Sequence, residues 1–534
     1  MRAIKTNTLT GQLLRIAAIA ASSLLGTAVQ AAAPGITGLT FNLGASAAYI
    51  TQPDGSSIYS WGYGCASPPT GYLPTGDAAL PGASCQTMQL PGPTLIVYEN
   101  DVVTVNLTNG LPARAGNTSI MFPGFTVTAT GNAPVVPGQL TAEAAPGGSA
   151  SYTFTASKPG THSYYSGTQS DLQVEMGLYG TIIVLPTAVP AGCTGLGLIP
   201  AHYIDTVAGN TQEVDYRLAA SAYDHVASCY DREYLFQFSE IDPNIHRAAE
   251  EIVNCTVGPG VPTCPANMDT VATEPYHAAY FLINGRSMPD DMDPIYSVQY
   301  PHQPYNGNPH MHPGELTLLR IVGQGRMQHP FHEHGNHVRV LARDGNLLLA
   351  PDLLPGATTP LAGPLMFTTT TTPGQTIDGI FQWTGKGLNW DVFGHGYSGD
   401  TSTCTPDANG YNNAVAAPNY YEWCGDHRKA LENKPFGRVG AGGPINLPDP
   451  NILTNGPWYS GSPYMSAEAT GRATGATPIP PSGTVANDPT GEAGFAYMWH
   501  SHNEREITTN NIFPGGMLMM MLVDPRAFQI DESK

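Results

Sequence analysis

Turn-forming residues break this chain at short intervals. Its 534 residues include 60 Gly and 48 Pro, about one position in five, and both residues disfavour helix interiors. Between the breaks lie short runs in which apolar and polar residues alternate. Leu95-Ile96-Val97-Tyr98 leads through Glu99-Asn100-Asp101 into Val102-Val103-Thr104-Val105-Asn106-Leu107. Further on come Ser151-Tyr152-Thr153-Phe154-Thr155, Gly177–Val184, Tyr234–Phe238 and Tyr280–Arg286. A period of two is the mark of a half-buried strand. The expectation is an all-β chain of turn-linked strands packed as β-sandwiches.

The first residues read as a secretory signal peptide. Arg2, Lys5 and Arg15 precede the apolar run Ile16–Ala21 and Leu24-Leu25, and the small residues Ala31-Ala32-Ala33 supply a cleavage site after Ala31 or Ala33. The apolar run is too short for a comfortable membrane span, and no later stretch approaches about 20 uninterrupted apolar residues. An exported protein follows, periplasmic or extracellular, without a membrane span. About 500 residues then remain, enough for two to four domains.

The formal net charge is −20, and removal of the basic leader makes the rest more acidic, which argues against nucleic acid or an anionic membrane as partner. Eight cysteines, an even number without a CxxC pair, read as disulfides in an exported chain, with Cys65/Cys85, Cys255/Cys264 and Cys404/Cys424 as local pairs.

Two histidine runs carry the chemistry. His329-Pro330-Phe331-His332-Glu333-His334-Gly335 and His500-Ser501-His502 both lie in β-like stretches, where residues two apart share a face. Imidazoles converging from two strands suit copper or zinc. Three further histidines, His302, His310 and His312, read as loop or surface groups, and the run Met517–Met521 as a core strand.

The β-arch of residues 95–107, the Ile283-Asn284-Gly285 turn and the two histidine runs, in this order, resemble the multicopper oxidases, a secreted family of cupredoxin sandwiches. The resemblance implies tandem cupredoxin-like Greek-key β-sandwiches. One would span residues 34–188 and a second 199–534, the latter with a Gly/Pro-rich insertion at about 396–490 that is either a long insertion or part of a third domain. It also implies copper ligands. His329 matches a ligand of the blue (type 1) copper, and His332, His334, His500 and His502 match ligands of the trinuclear cluster.

The departures from the family pattern are as informative. Where the family has His-Trp-His-Gly and His-Ser-His in its first domain, this chain has Met121-Phe122-Pro123-Gly124 and Tyr165-Ser166-Gly167. Nearby His162 reads as a half-buried packing residue. Ser501 replaces the family's copper-binding cysteine, and a hydroxyl is a far poorer copper ligand than a thiolate. Glu506 stands where the family has the second blue-copper histidine, so any site surviving there with His329, Glu506, nearby Glu504 and an approaching Met517 is harder and richer in oxygen.

Three readings follow. The first is a copper-dependent oxidoreductase without a blue copper, with a small reductant or oxygen as partner and an unspecified number of ions. The second is a non-catalytic copper carrier, and the third a vestigial sandwich. The metal residues expected are His329, His332, His334, His500, His502 and Glu506; no catalytic residue is assigned.

Overall fold

The protein is described from a computed structural model, which describes residues 33–73, 84–193, 217–259, 261, 263–350, 359–387, 403–414, 417, 420–425, 461–465, 493–524 and 530. The leader and most of the Gly/Pro-rich insertion lie outside the described residues. Among the described residues no helix is long and apolar enough to cross a membrane.

Four sheets pack as two sandwiches. The strands on either side of the arch diverge at Asn100, whose φ of 70° is the left-handed turn the sequence Glu-Asn-Asp favours. Leu95–Tyr98 enters one five-stranded sheet, between Gly35–Thr37 and Tyr179–Leu185, and Val102–Asn109 enters the other, between Thr40–Thr51 and Ser149–Thr155. Alternate residues of both strands, Leu95 and Val97 on one and Val103, Val105 and Leu107 on the other, close a common core with Trp61, Phe154 and Ile182.

The second sandwich is larger. Arg232–Ile241, Leu316–Gly323, Thr376–Gln382 and Val338–Arg343 lie side by side in a seven-stranded sheet. Facing it is a six-stranded sheet in which Ala493–Ser501 is flanked by Leu518–Val523 on one side and His329–Glu333 on the other. Phe236, Phe331, Trp499, Met517, Met519 and Met521 fill the space between, so the methionine run is a core strand. Inside the Gly/Pro-rich insertion, Gly461–Met465 forms a strand that pairs with Ala493–Ser501.

The two sandwiches meet through a ladder of buried polar side chains. Thr161 Oγ1 donates to Asp378 at 2.6 Å, Ser163 Oγ to Gln324 at 3.0 Å, Tyr179 OH to Ser239 at 2.8 Å and Thr181 Oγ1 to Gln237 at 2.7 Å. The helix Pro243–Asn254 adds a strap. Asp242 caps it, with Pro243 at the first turn, and its apolar face, Ile245, Ala249 and Ile252, belongs to the first sandwich's core. Four disulfides, Cys65–Cys85, Cys193–Cys229, Cys255–Cys264 and Cys404–Cys424, leave no free thiol among the eight cysteines.

Candidate metal centre

The pairing register decides which histidines meet. His329–Glu333 runs antiparallel to Ala493–Ser501, with His332 opposite His500 and Phe331 opposite Ser501. Just past the last pair, the His502 N–H donates to the Pro330 carbonyl at 2.8 Å. Strand alternation then puts His332, His334, His500 and His502 on one face, while His329, Phe331, Trp499 and Ser501 point into the sandwich.

The four rings are close. Centroids lie 4.9 Å apart for His332 and His334, 5.6 Å for His332 and His500, 4.8 Å for His332 and His502, and 5.0 Å for His334 and His500. His334 Nε2 and His500 Nε2 are 3.2 Å apart, near the ~3.3 Å separating two nitrogens bound tetrahedrally to one ion at ~2.0–2.1 Å. The rings are also oriented. His332 Nδ1 is 2.7 Å from Thr368 Oγ1, and His500 Nδ1 is 2.7 Å from the Ser501 carbonyl. A carbonyl only accepts, so His500 carries its proton on Nδ1 and presents Nε2 as a lone pair.

Burial, followed by the neighbouring His502 and His500, holds His332 down at about 4, and burial also lowers His500. His332 and His500 therefore favour the neutral imidazole, the form that binds metal. Among the described residues no three His, Cys, Asp or Glu side chains already converge on a single point, so the quartet is a gathered donor set and not a finished coordination sphere. His502 is its open side, with a side chain 53% exposed and Nδ1 3.7 Å from the exposed Glu504.

His329 and Glu506, expected as metal donors, are engaged with each other instead. His329 is fully buried, its Nδ1 2.8 Å from Glu506 Oε2 and its Nε2 2.8 Å from Glu240 Oε2. With a carboxylate on each nitrogen, the ring is best satisfied as an imidazolium donating both protons. Burial alone would lower its pKa, but the hydrogen bonds from Glu240 and Glu506 raise it to about 9. Ser501 Oγ donates to the same Glu506 oxygen at 2.5 Å, and Asn503 Nδ2 donates to the other at 2.8 Å. His329 and Glu506, with Glu240, thus form a buried carboxylate–imidazolium–carboxylate bridge. Glu504 points to solvent, and Met517 lies in the core.

Several residues here carry no signal in local motifs. Glu240 comes from 89 residues upstream of His329; the one hint is a charged residue in Arg232–Ile241, all ten of whose residues are buried. Gly325 makes room for it, since a Cβ there would lie 2.1 Å from Glu240 Oε2. His310 and His312, expected at the surface, are buried, because His310 pairs with Asp524 at 2.8 Å and the His312 N–H is held by Glu315 at 2.8 Å. His162 is fully buried, not half-buried. Its ring packs on Phe125, with centroids 4.7 Å apart, and its Nε2 lies 3.0 Å from the Lys158 carbonyl.

The model of the family described as multicopper oxidase matches residues 84–188. Through this stretch, about a fifth of the chain, the protein is similar to the multicopper oxidases. It is 36% identical over 98 residues to a multicopper oxidase of Talaromyces pinophilus, covering 18% of this chain and 15% of that protein. It is 33% identical over 96 residues to an L-ascorbate oxidase of Brassica rapa subsp. pekinensis, covering 18% and 16%. The matched stretch thus spans about a sixth of the length of these curated relatives. Among solved structures, the multicopper oxidase mgLAC aligns over 92% of this chain and 87% of its own at 15% identity, with a TM-score of 0.43.

Within the matched segment, the stretches around Met121 and Tyr165 pair with each other. Met121 bridges Tyr165 across the sheet, N–H to carbonyl at 2.7 Å. Ser166 Oγ donates to Gln173 at 2.7 Å, and Gly167 N–H donates to Ser119 at 3.2 Å. The side-chain groups engaged here are hydroxyls and an amide. Copper is the cofactor that similarity to the multicopper oxidases implies, and the donors that suit it here are the imidazoles of His332, His334, His500 and His502.

Proposed function

We propose that this protein is an exported copper-dependent oxidoreductase whose copper is held by His332, His334, His500 and His502, and which works without a blue copper. The observation that carries this reading is the register that sets His332 against His500 and brings His334 Nε2 to 3.2 Å from His500 Nε2. Similarity to the multicopper oxidases over residues 84–188 supports the reaction class, and the four disulfides support an oxidising compartment.

Bound copper supplies a one-electron redox couple and a Lewis acid. The chain does the rest. Thr368 and the Ser501 carbonyl fix two of the rings, and half-exposed His502 leaves one side open to a small partner such as oxygen. No thiolate is present to colour the centre, because Ser501 is committed to Glu506 and the cysteines are paired.

Oxygen uptake by the copper-loaded protein, with phenolic and metal-ion reductants, tests the reading. Uptake that depends on copper and falls at least tenfold in His500→Ala is expected. Copper bound without uptake would replace the enzyme with a carrier, and copper-dependent uptake unchanged in His500→Ala would refute the site.

A further inference from the structure

A line of polar contacts, buried at its His329 end, runs from the junction of the two sandwiches to the strand that carries the quartet. It starts at Tyr276, half-buried where the two cores meet. Tyr276 OH donates to Glu175 Oε2 at 2.7 Å and lies 3.4 Å from Glu240 Oε1. Glu240 holds His329 through its other oxygen at 2.8 Å. His329 precedes His332 by three residues on one strand, roughly 10 Å along the backbone. The outer face of the Tyr276 ring is covered by the Arg326 guanidinium, 4.4 Å from the centroid, on a side chain 17% exposed.

A tyrosine in this setting has what one-electron chemistry needs. Its hydroxyl is bonded to a carboxylate that can take the proton, its ring comes within reach of the surface, and its far end connects to the metal-bearing strand. Both Glu175 oxygens accept hydrogen bonds, from Tyr276 OH and from the Asp242 N–H at 2.7 Å, an arrangement that suits the carboxylate. Burial, with Glu240 adding to it, pushes Glu175 up to about 8, so it is the ionised acceptor above about pH 8, where it takes a proton more readily than an ordinary carboxylate. Met327 N–H donates to Glu240 at 2.9 Å, as does Arg326 N–H, which keeps that carboxylate in place.

We propose that Tyr276 is the electron relay that replaces the missing blue copper, passing its phenolic proton to Glu175 as it loses an electron. The proposal rests on the oxidoreductase reading above. In the forward step the O–H bond of Tyr276 breaks, the proton forms a bond to Glu175 Oε2, and one electron leaves to a one-electron oxidant, which in the working protein is the oxidised copper centre. In the return step a one-electron donor of the phenol or metal-ion class reduces the phenoxyl radical, and Glu175 gives the proton back.

The test separates this relay from a structural hydrogen bond. Metal-free protein is mixed with hexachloroiridate(IV), frozen and examined by EPR. A phenoxyl signal is expected that drops at least fivefold in Tyr276→Phe and in Glu175→Gln but persists when exposed Tyr98 is changed to Phe. A signal unchanged in Tyr276→Phe would overturn the proposal. In a second arm, reduction of bound copper by a phenol is followed by stopped flow and is expected to slow at least tenfold in Tyr276→Phe at equal copper content. Equal rates there would also overturn the relay while leaving the copper site intact. If neither protein binds copper, the oxidoreductase reading fails, and the EPR arm alone decides whether Tyr276 is redox-active. Circular dichroism of Tyr276→Phe, which keeps the ring and loses one oxygen, verifies the fold in either arm.

Discussion

Replacing Glu506 by Gln removes one charge from the Glu240–His329–Glu506 bridge while preserving its shape. The amide oxygen can still accept from His329 Nδ1 or Ser501 Oγ, now at 2.8 and 2.5 Å, and the change is electrostatic once the Asn503 amide, whose Nδ2 now donates to the other oxygen at 2.8 Å, turns its own oxygen to the new NH2. His329 rises from 6.5 to about 9 between two carboxylates, a difference of roughly 3 kcal/mol at ~1.4 kcal/mol per unit. Because burial works against the rise, the two partners together supply more than this net amount, so one of two comparable partners accounts for at least half of it, in agreement with the ~1.5–3 kcal/mol of a hydrogen bond to a charged group. The folded pKa is raised, so this stability is fully present below about 6.5 and is lost as pH rises through 9. Glu506→Gln is therefore expected to be about 2 kcal/mol less stable than wild type at pH 6.5, with the deficit shrinking to nothing by about pH 9.5. Urea unfolding at a series of pH values measures it. Equal stability at pH 6.5, or a deficit that stays constant up to pH 9.5, would refute the imidazolium assignment.

Three other perturbations follow from the same geometry. Ser501→Cys should not create a blue copper, because both His329 nitrogens are held by carboxylates; a strong blue band on adding copper would show that the bridge opens. Gly325→Ala forces a Cβ to 2.1 Å from Glu240 Oε2 and should destabilise the protein by about 1–3 kcal/mol, seen as a lower urea midpoint. Thr368→Val removes the hydroxyl 2.7 Å from His332 Nδ1 and should weaken copper binding by about 10–100-fold, which competition with a chelator would report; unchanged affinity would remove Thr368 from the site.

The parity of the motifs made half of the candidate centre legible. Residues 332 and 334, like 500 and 502, differ by two and so share a face on a strand, and a register that pairs 332 with 500 puts all four together. Residue 329 has the opposite parity to 332, which is why His329 faces the core while the quartet faces away from it. What sequence could not supply was its partner. Glu240 is brought to His329 by long-range packing between facing sheets, and a buried carboxylate is recognisable only once its imidazolium is in view. Buried His310 illustrates the same limit, since a histidine in a Pro/Asn-rich stretch looks like a loop until Asp524 is placed beside it. The β-arch was legible for a local reason, a left-handed Asn100 between two alternating runs.

Copper content and EPR of the purified protein, after loading with copper(II) and removal of excess, test the central claim most directly. The account predicts retained copper, a spectrum with nitrogen hyperfine splitting and no blue band, and loss of that copper when His332 and His500 are both changed to Ala. Copper that does not stay bound, or that stays undiminished in the double variant, would contradict it.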